Sequence, residues 1–235
     1  MNQDEIRSEV REYYTRAARR GSDGHGHDGV WGASRYDTDT LDHVPAGAAE
    51  LSMGCGNPVA MIDLAPGETV LDLGSGGGLD VILSAKRVGP TGTAYGVDEL
   101  DEMIDVARAH AAEAGVTNTT FLQGLIENVP LPDGSVDVVI SNCVICLAPD
   151  KTPVFTEIAR MLRPGGRMAV TDIVADKGYT PPDDDGAWAE CGTGALQHDE
   201  LLAMITSAGL VDATIEYTHD TGPGLHGATI RARRP

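Results

Sequence analysis

Aromatic side chains are scarce in this chain, with two Phe and two Trp among 235 residues. That scarcity argues against the stacking platforms that bind single-stranded nucleic acids. Basic residues are few as well: 17 Lys and Arg face 36 Asp and Glu, for a formal net charge of −19. Such a field opposes nucleic acid and anionic membrane surfaces, which need clustered cations, so neither is expected as a partner. No apolar run approaches the length of a membrane span. The stretch Met1–Arg20 is polar and charged, unlike a secretory leader. A cytoplasmic protein is expected, in which the four cysteines, Cys55, Cys143, Cys146 and Cys191, serve packing, metal binding or catalysis rather than stapling. Histidine is missing where a general base would be useful. His110 falls in a predicted helix, His43 in a loop and His219 just beyond a late predicted strand.

What is present is alternation. Apolar runs predict strands over Thr69–Leu73, Thr93–Val97, Thr119–Gly124, Val136–Ser141, Arg167–Ile173, Ala213–Tyr217 and Ala228–Ala232. Helical spacing predicts helices over Asp4–Arg19, Leu79–Arg87, Asp101–Ala114, Lys151–Leu162 and Asp199–Ala208. Gly89, Gly115, Gly165 and Gly209 fit as helix stops. This order predicts an α/β Rossmann-like fold, a seven-stranded, mostly parallel sheet with helices on both faces. Residues 1–66 would form an N-terminal helix and a cap over the substrate site, and residues 67–235 the catalytic domain. The glycine-rich stretch Gly21–Gly32 reads as a loop, and its His25-Gly26-His27 lacks the rigid geometry of a metal site.

The run Val70-Leu71-Asp72-Leu73-Gly74-Ser75-Gly76-Gly77-Gly78 is a strand that ends in an acid and then glycines. Bare Cα positions let the backbone turn tightly against a nucleotide-like ligand. A dinucleotide fingerprint would need glycine at 79, where Leu79 stands. A carboxylate at the turn repels a pyrophosphate but suits a ligand with an ammonium and a sulfonium, which points to S-adenosylmethionine. Asp98, 26 positions after Asp72, closes the second strand and is placed to hold both ribose hydroxyls. After the third strand, backbone groups at Leu125 and Ile126 could read an adenine edge, with Glu127 accepting from its amine. Asn142 ends the fourth strand above the expected methyl group. Together these strand ends identify a class I methyltransferase domain.

A methyl acceptor on oxygen or nitrogen needs a base to remove its proton. The residues expected near the cofactor are cysteines instead. Cys143 follows Asn142, Cys191 lies after the fifth strand, and Cys55 sits between Gly54 and Gly56 in a shaped turn. Three thiolates from three loops would make a soft, trigonal site. Cys143-Val144-Ile145-Cys146 has ligand-like spacing, but without a second such pair it is a weak zinc signal. The plain alternative is that all four cysteines fill the core.

Met53-Gly54-Cys55-Gly56-Asn57-Pro58, Ser141-Asn142-Cys143-Val144 and Glu190-Cys191-Gly192-Thr193-Gly194-Ala195-Leu196 resemble segments of the arsenite S-adenosylmethionine methyltransferases. The glycine loop, Gly96-Val97-Asp98, Gly124-Leu125-Ile126-Glu127 and Ala148-Pro149-Asp150-Lys151 are similar too, so the likeness runs from about Val10 to Ala208. The resemblance implies that Cys143 and Cys191 hold trivalent arsenic, with Cys55 as third thiolate and redox partner. It also implies that Asp72, Gly74, Ser75, Gly76, Asp98, Leu100, Ile126, Glu127, Asn142 and Val144 surround S-adenosylmethionine. Many members carry a further cysteine upstream of the Gly-Cys-Gly motif, which Met1–Met53 lacks, and Cys146 stands where asparagine or another residue is expected. Arsenite and methylarsenite both stay open as acceptors, and a thiol reductant such as thioredoxin or a glutathione-like thiol is an expected partner. Two other functions remain: methylation of a carbon or oxygen of a small organic molecule such as a quinone precursor, and non-catalytic sequestration of a soft metal.

Overall fold

The computed structural model describes residues 1–20, 31–181 and 188–235, so the predicted His25 and His27 lie outside the described residues. Helix α1 (Gln3–Arg20) is followed by two short helices, α2 (Thr38–Leu41) and α3 (Ala46–Glu50). Strand and helix then alternate: β1 (Thr69–Leu73), α4 (Leu79–Val88), β2 (Thr93–Asp98), α5 (Asp101–Glu113), β3 (Thr119–Gln123) and β4 (Val136–Asn142). The chain continues through α6 (Thr152–Met161), β5 (Leu162–Ala175), β6 (Leu196–Gln197), α7 (His198–Ser207), β7 (Val211–Gly222) and β8 (Leu225–Arg233).

The strands form one sheet in the order β3-β2-β1-β4-β5-β8-β7, and the two-residue β6 pairs with β5. Strands β1 to β5 run parallel, while β8 is antiparallel to β5 and to β7. From β1 the chain winds outward in one direction to β3, then returns to β4 on the other side. Ligand clefts form at such a reversal, beyond the carboxyl ends of the strands.

The sequence explains the layers. Central strand β4 is buried from Val136 to Ser141, and β1 from Val70 to Leu73, whereas edge strand β3 alternates in exposure. On one face α6 and α7 bury Val154, Phe155, Ile158, Met161, Leu201 and Ile205. On the other, α4 and α5 bury Leu79, Val81, Ile82, Ile104 and Ala107. Truncating Phe155, which is fully buried, to Ala would cost about 3–5 kcal/mol. Gly89 (φ 69°), Gly115 (φ 66°) and Gly209 (φ 85°) end their helices in the left-handed region, as expected. Gly165 does not end a helix. Helix α6 stops at Met161, and Gly165 lies inside β5, where its N–H donates to the Arg234 carbonyl. The pairing of β4 with β5 shifts register between Val136 and Val138, which leaves room for Arg163–Gly166 to bulge outward. His219 is a residue of β7 rather than one beyond it. No helix among the described residues is long and apolar enough to cross a membrane.

Candidate active site

A cleft opens at the carboxyl ends of β1, β2 and β4. Its walls include Asp72, Gly74, Ser75, Gly76, Asp98, Leu100, Ile126, Glu127, Asn142 and Val144, so every residue expected around the cofactor lines one cavity. Gly74 (φ 69°) must be glycine twice over, because a Cβ there would also strike the Val144 side chain. Gly76 (φ 48°) faces open space. Asp98 ties two loops together, with one carboxylate oxygen accepting from Gly76 N of the glycine loop (2.9 Å) and the other from Leu100 N of its own loop (3.0 Å).

Asp72 is buried and accepts no hydrogen bond among the described residues. Burial pushes its pKa well above the usual carboxylate range, and the nearby charges of Asp80 and Asp98 push it further. Asp80 is raised to about 6, chiefly by burial. A buried, unpartnered carboxylate among other acids is a site prepared for a cation, which fits the ammonium and sulfonium of S-adenosylmethionine.

Two expected cofactor residues have other partners. Asn142 lines the cleft, but its amide clips down the turn that carries Cys55. Its Nδ2 donates to the Gly56 carbonyl (2.9 Å), and its Oδ1 accepts from Gly56 N (3.1 Å) and from Thr171 Oγ1 (2.8 Å). The glycines beside Cys55 permit this approach, since a Cβ at Gly54 would overlap Asn142 and one at Gly56 would overlap Thr171. Asn142 therefore positions the thiol turn from the wall of the cleft. Glu127 gives one oxygen to Arg7 of α1 at 2.7 Å. The Ser75 hydroxyl is buried and unpaired against the Gly96 Cα, so Ser75 faces the sheet with its side chain.

The four thiols meet beside this cleft. Cys55, Cys143, Cys146 and Cys191 are all free, all buried, and pack in one cluster with Leu147 and Ile173. The Sγ atoms of Cys143 and Cys191 are 3.4 Å apart. The tightest set is not the expected Cys55, Cys143 and Cys191. The sulfurs of Cys143, Cys146 and Cys191 lie within 4.8 Å of one another, and Cys55 packs in the same buried cluster. Cys143 (φ 59°) and Cys191 (φ 65°) both hold left-handed backbone, a strain that L residues tolerate only where the surroundings enforce it. Val10 and Tyr14 of α1, with Trp31, pack over the thiols from outside.

Burial raises the thiol pKa of Cys55, of Cys143 and of Cys146. Cys191 moves the other way, because S–H groups of Cys143 and Cys146 donate to it and the Lys151 ammonium lies near. Burial also raises the Tyr14 hydroxyl, with the field of Cys191 adding to it. Asp172 is raised to about 6 by burial first and the charge on Cys191 second. The sulfur cluster is thus a soft, dry donor set, suited to a polarisable electrophile rather than to a hard cation.

Sequence reasoning missed Lys151, Asp172, Trp188 and His110. Lys151 Nζ donates to the carbonyls of Cys146 (3.1 Å) and Ala148 (2.7 Å), and sits 5.1 Å above the Trp188 ring. His110 Nδ1 donates to the Gly77 carbonyl at 2.8 Å and steadies the glycine loop. An exposed lysine is the ordinary expectation, and nothing in the local pattern marks this one as buried.

Residues 64–209 match the Methyltransferase domain family. The chain belongs to that family. This methyltransferase-domain chain is 44% identical over 216 residues to an arsenite methyltransferase of Halobacterium salinarum, covering 85% of this chain and 55% of the relative. It is 31% identical over 224 residues to the human arsenite methyltransferase, covering 87% of this chain and 58% of the relative. The chain spans a little over half the length of these curated relatives. Its fold superimposes with a TM-score of 0.69 on the crystal structure of an arsenic(III) S-adenosylmethionine methyltransferase from Chlamydomonas reinhardtii, at 35% identity, covering 83% of this chain and 71% of the other. The architecture is the class I S-adenosylmethionine methyltransferase fold, as expected from the sequence.

Proposed function

We propose that this chain methylates trivalent arsenic held by Cys143 and Cys191, with S-adenosylmethionine as methyl donor. The observation that carries this reading is the 3.4 Å separation of the two sulfurs beside the cleft, in a chain that resembles arsenite methyltransferases on both sides of it. Bound in the cleft, the cofactor supplies an electrophilic methyl group on a sulfonium. Asp72 would balance its positive charge, Asp98 and Leu100 would hold the ribose, and Ile126 and Glu127 would border the adenine. Gly74, Ser75, Gly76 and Val144 shape the cradle between them, and Asn142 holds the Cys55 turn in register.

The acceptor is an arsenic lone pair, so no proton has to be removed. This accounts for a site with no histidine base among the described residues: the groups that meet here are thiols. The chain's contribution is to fix the arsenic against the methyl group and to exclude water, for which the buried cluster under Tyr14 is suited. We assign residues 1–66 to a cap over this site and residues 67–235 to the catalytic domain. Methyl transfer leaves arsenic formally pentavalent. Cys55, packed in the same buried cluster as Cys143, would reduce it by forming a disulfide, which an external dithiol such as thioredoxin, or a glutathione-like thiol, would then reopen.

The test is turnover of arsenite and of methylarsenite by Cys143→Ser and Cys191→Ser. Loss of methyl transfer in both variants with cofactor affinity retained is the expected result. Undiminished turnover would remove Cys143 and Cys191 as the groups that hold arsenic; no methylation of either arsenical by the wild type would leave methylation of a small organic molecule as the better reading.

A further inference from the structure

We propose that Cys146 is the third sulfur ligand of the arsenical, completing a three-thiolate site with Cys143 and Cys191 and leaving Cys55 free as the reducing thiol. The inference rests on the reading of this chain as an arsenic methyltransferase, and changes which thiol does what within it. Three features of the cluster carry it.

The first is proximity. The mutually close sulfurs are those of Cys143, Cys146 and Cys191, whereas Cys55 stands outside that group. Cys146 Sγ lies within 4.8 Å of the sulfurs of both Cys143 and Cys191, in the same buried cluster, close enough for one atom to bridge all three. Trivalent arsenic is pyramidal and takes three ligands, which the set matches in number and in softness.

The second is the fixing of its backbone. Cys146 lies on a tight turn, Ile145–Leu147, just beyond β4. Its N–H donates to Asp172 Oδ2 (3.1 Å), and its carbonyl accepts from the buried Lys151 ammonium (3.1 Å). The same lysine covers Trp188, whose Nε1–H donates to the Leu147 carbonyl at 2.9 Å. Gly194, on the Cys191 loop, lies so close to the Cys146 carbonyl that a Cβ there would overlap the oxygen. The two loops that carry Cys146 and Cys191 are therefore tied to each other at three points, by Lys151 over Trp188, by Trp188 to Leu147 and by Gly194 against Cys146. A cysteine that merely fills space needs none of this.

The third is the chemistry that follows. Arsenous acid enters by exchange: three As–O bonds break, three As–S bonds form, and each thiol proton leaves with a hydroxide as water. After methyl transfer, the Cys55 thiolate attacks Cys143 Sγ. The Cys55–Cys143 S–S bond forms, the bond between arsenic and Cys143 breaks, and its electron pair stays on arsenic as the lone pair of a trivalent methylarsenical. The Cys55 proton goes to solvent. Cys146 and Cys191 still hold the product by two sulfurs, so it stays in place while an external dithiol reduces the disulfide. A site built from Cys55, Cys143 and Cys191 would keep a single sulfur on arsenic after the same step. The S3 set therefore favours a second methylation over early release of the monomethylated product.

The experiment uses the full chain, reduced and loaded with arsenite without cofactor, with the arsenic shell counted by X-ray absorption at the arsenic edge. Three sulfurs are expected in the wild type and in Cys55→Ser, with two sulfurs and one oxygen in Cys146→Ser. Arsenite binding should weaken by about 100-fold in Cys146→Ser, as when one arm of a tethered multidentate site is lost. Phenylarsine oxide, with only two exchangeable positions, should lose no more than about tenfold by the same argument. Under turnover with dithiol, Cys146→Ser should shift product from dimethylated to monomethylated arsenic. Two sulfurs in Cys55→Ser, or three in Cys146→Ser, would overturn the proposal in favour of Cys55. A zinc ion retained by the cluster in stoichiometric amount would overturn it too. Should Cys146→Ser fail to fold, the Cys55→Ser count decides alone, because only three cysteines remain in that variant. Failure of the parent reading looks different: no arsenic–sulfur shell in the wild type at all.

Discussion

Cys143 and Cys191, 48 positions apart in the chain, bring their sulfurs to 3.4 Å while both hold left-handed backbone, φ 59° and 65°. A non-glycine residue in that region costs roughly 1–2 kcal/mol relative to ordinary geometry, so the fold stores strain at both thiols. The consequence is a reversal of the usual substitution order. Cys143→Gly and Cys191→Gly should be more stable than the matching Ala variants by about 1 kcal/mol. At Cys55 and Cys146, outside the left-handed region, Ala should be the more stable by roughly 0.5–1 kcal/mol. Urea unfolding of the eight variants reads this directly. Ala more stable than Gly at all four positions would mean that no strain is stored there.

Asp80 links stability to pH. Burial raises its folded pKa to about 6, while Tyr36 Oη donates to it at 2.8 Å. Its unfolded value is near 3.9. Because the folded pKa is the higher, this group's contribution to stability is complete below about pH 4 and lost as pH rises through about 6. Asp80→Asn keeps an acceptor for Tyr36 and removes the buried charge. It should be more stable than the wild type by about 1–2 kcal/mol at pH 7.5 and no more stable at pH 4. Equal differences at the two pH values in thermal melts would count against the assignment.

Asp72 extends the same logic to the cofactor. Its pKa is raised by burial and by the acids Asp80 and Asp98, so a bound cation favours its ionised form and releases a proton. Affinity for S-adenosylmethionine should therefore rise with pH until Asp72 is ionised in the free protein. Affinity for S-adenosylhomocysteine, which lacks the sulfonium charge, should rise less. Calorimetry in buffers of different ionisation enthalpy would detect the proton. Asp72→Asn should remove the pH dependence and bring the two affinities closer together. Identical pH profiles for the two ligands would contradict the role.

Much of this arrangement was legible in the chain. The ends of β1, β2 and β4 stood out because Asp72, Asp98 and Asn142 each follow a short apolar run, and a parallel sheet brings such ends to one rim. The reversal between β1 and β4 then fixed where the cleft lies. What stayed hidden depends on long-range approach. Asn142 closes the fourth strand as expected, but its partner Gly56 is 86 positions away. Cys146 reads as the second half of a strand-end pair, and only the tight turn Ile145–Leu147 folds it back toward Cys143. The start of β5 was masked by Pro164-Gly165-Gly166, which reads as a turn but bulges from a continuous strand. Two-residue β6 is too short to leave a pattern.

Helix α1 is held across the cleft by arginines. Arg7 pairs with Glu127 (2.7 Å), Arg11 with Glu99 (3.3 Å) and Arg19 with Glu102 (2.8 Å), while Val10 and Tyr14 pack on the thiols. The outer two pairs are largely exposed and hence screened by salt; the Arg7–Glu127 pair is more protected. If α1 must lift for the cofactor to leave, dissociation should quicken with ionic strength, several-fold between low and high salt. The double variant Arg11→Ala/Arg19→Ala should already dissociate fast at low salt and respond little to added salt. Arg7→Ala should add to that rate, because the Arg7–Glu127 pair is the remaining latch. Stopped-flow release of a fluorescent cofactor analogue measures each rate. A salt-independent rate in the wild type would show that α1 does not gate the cleft.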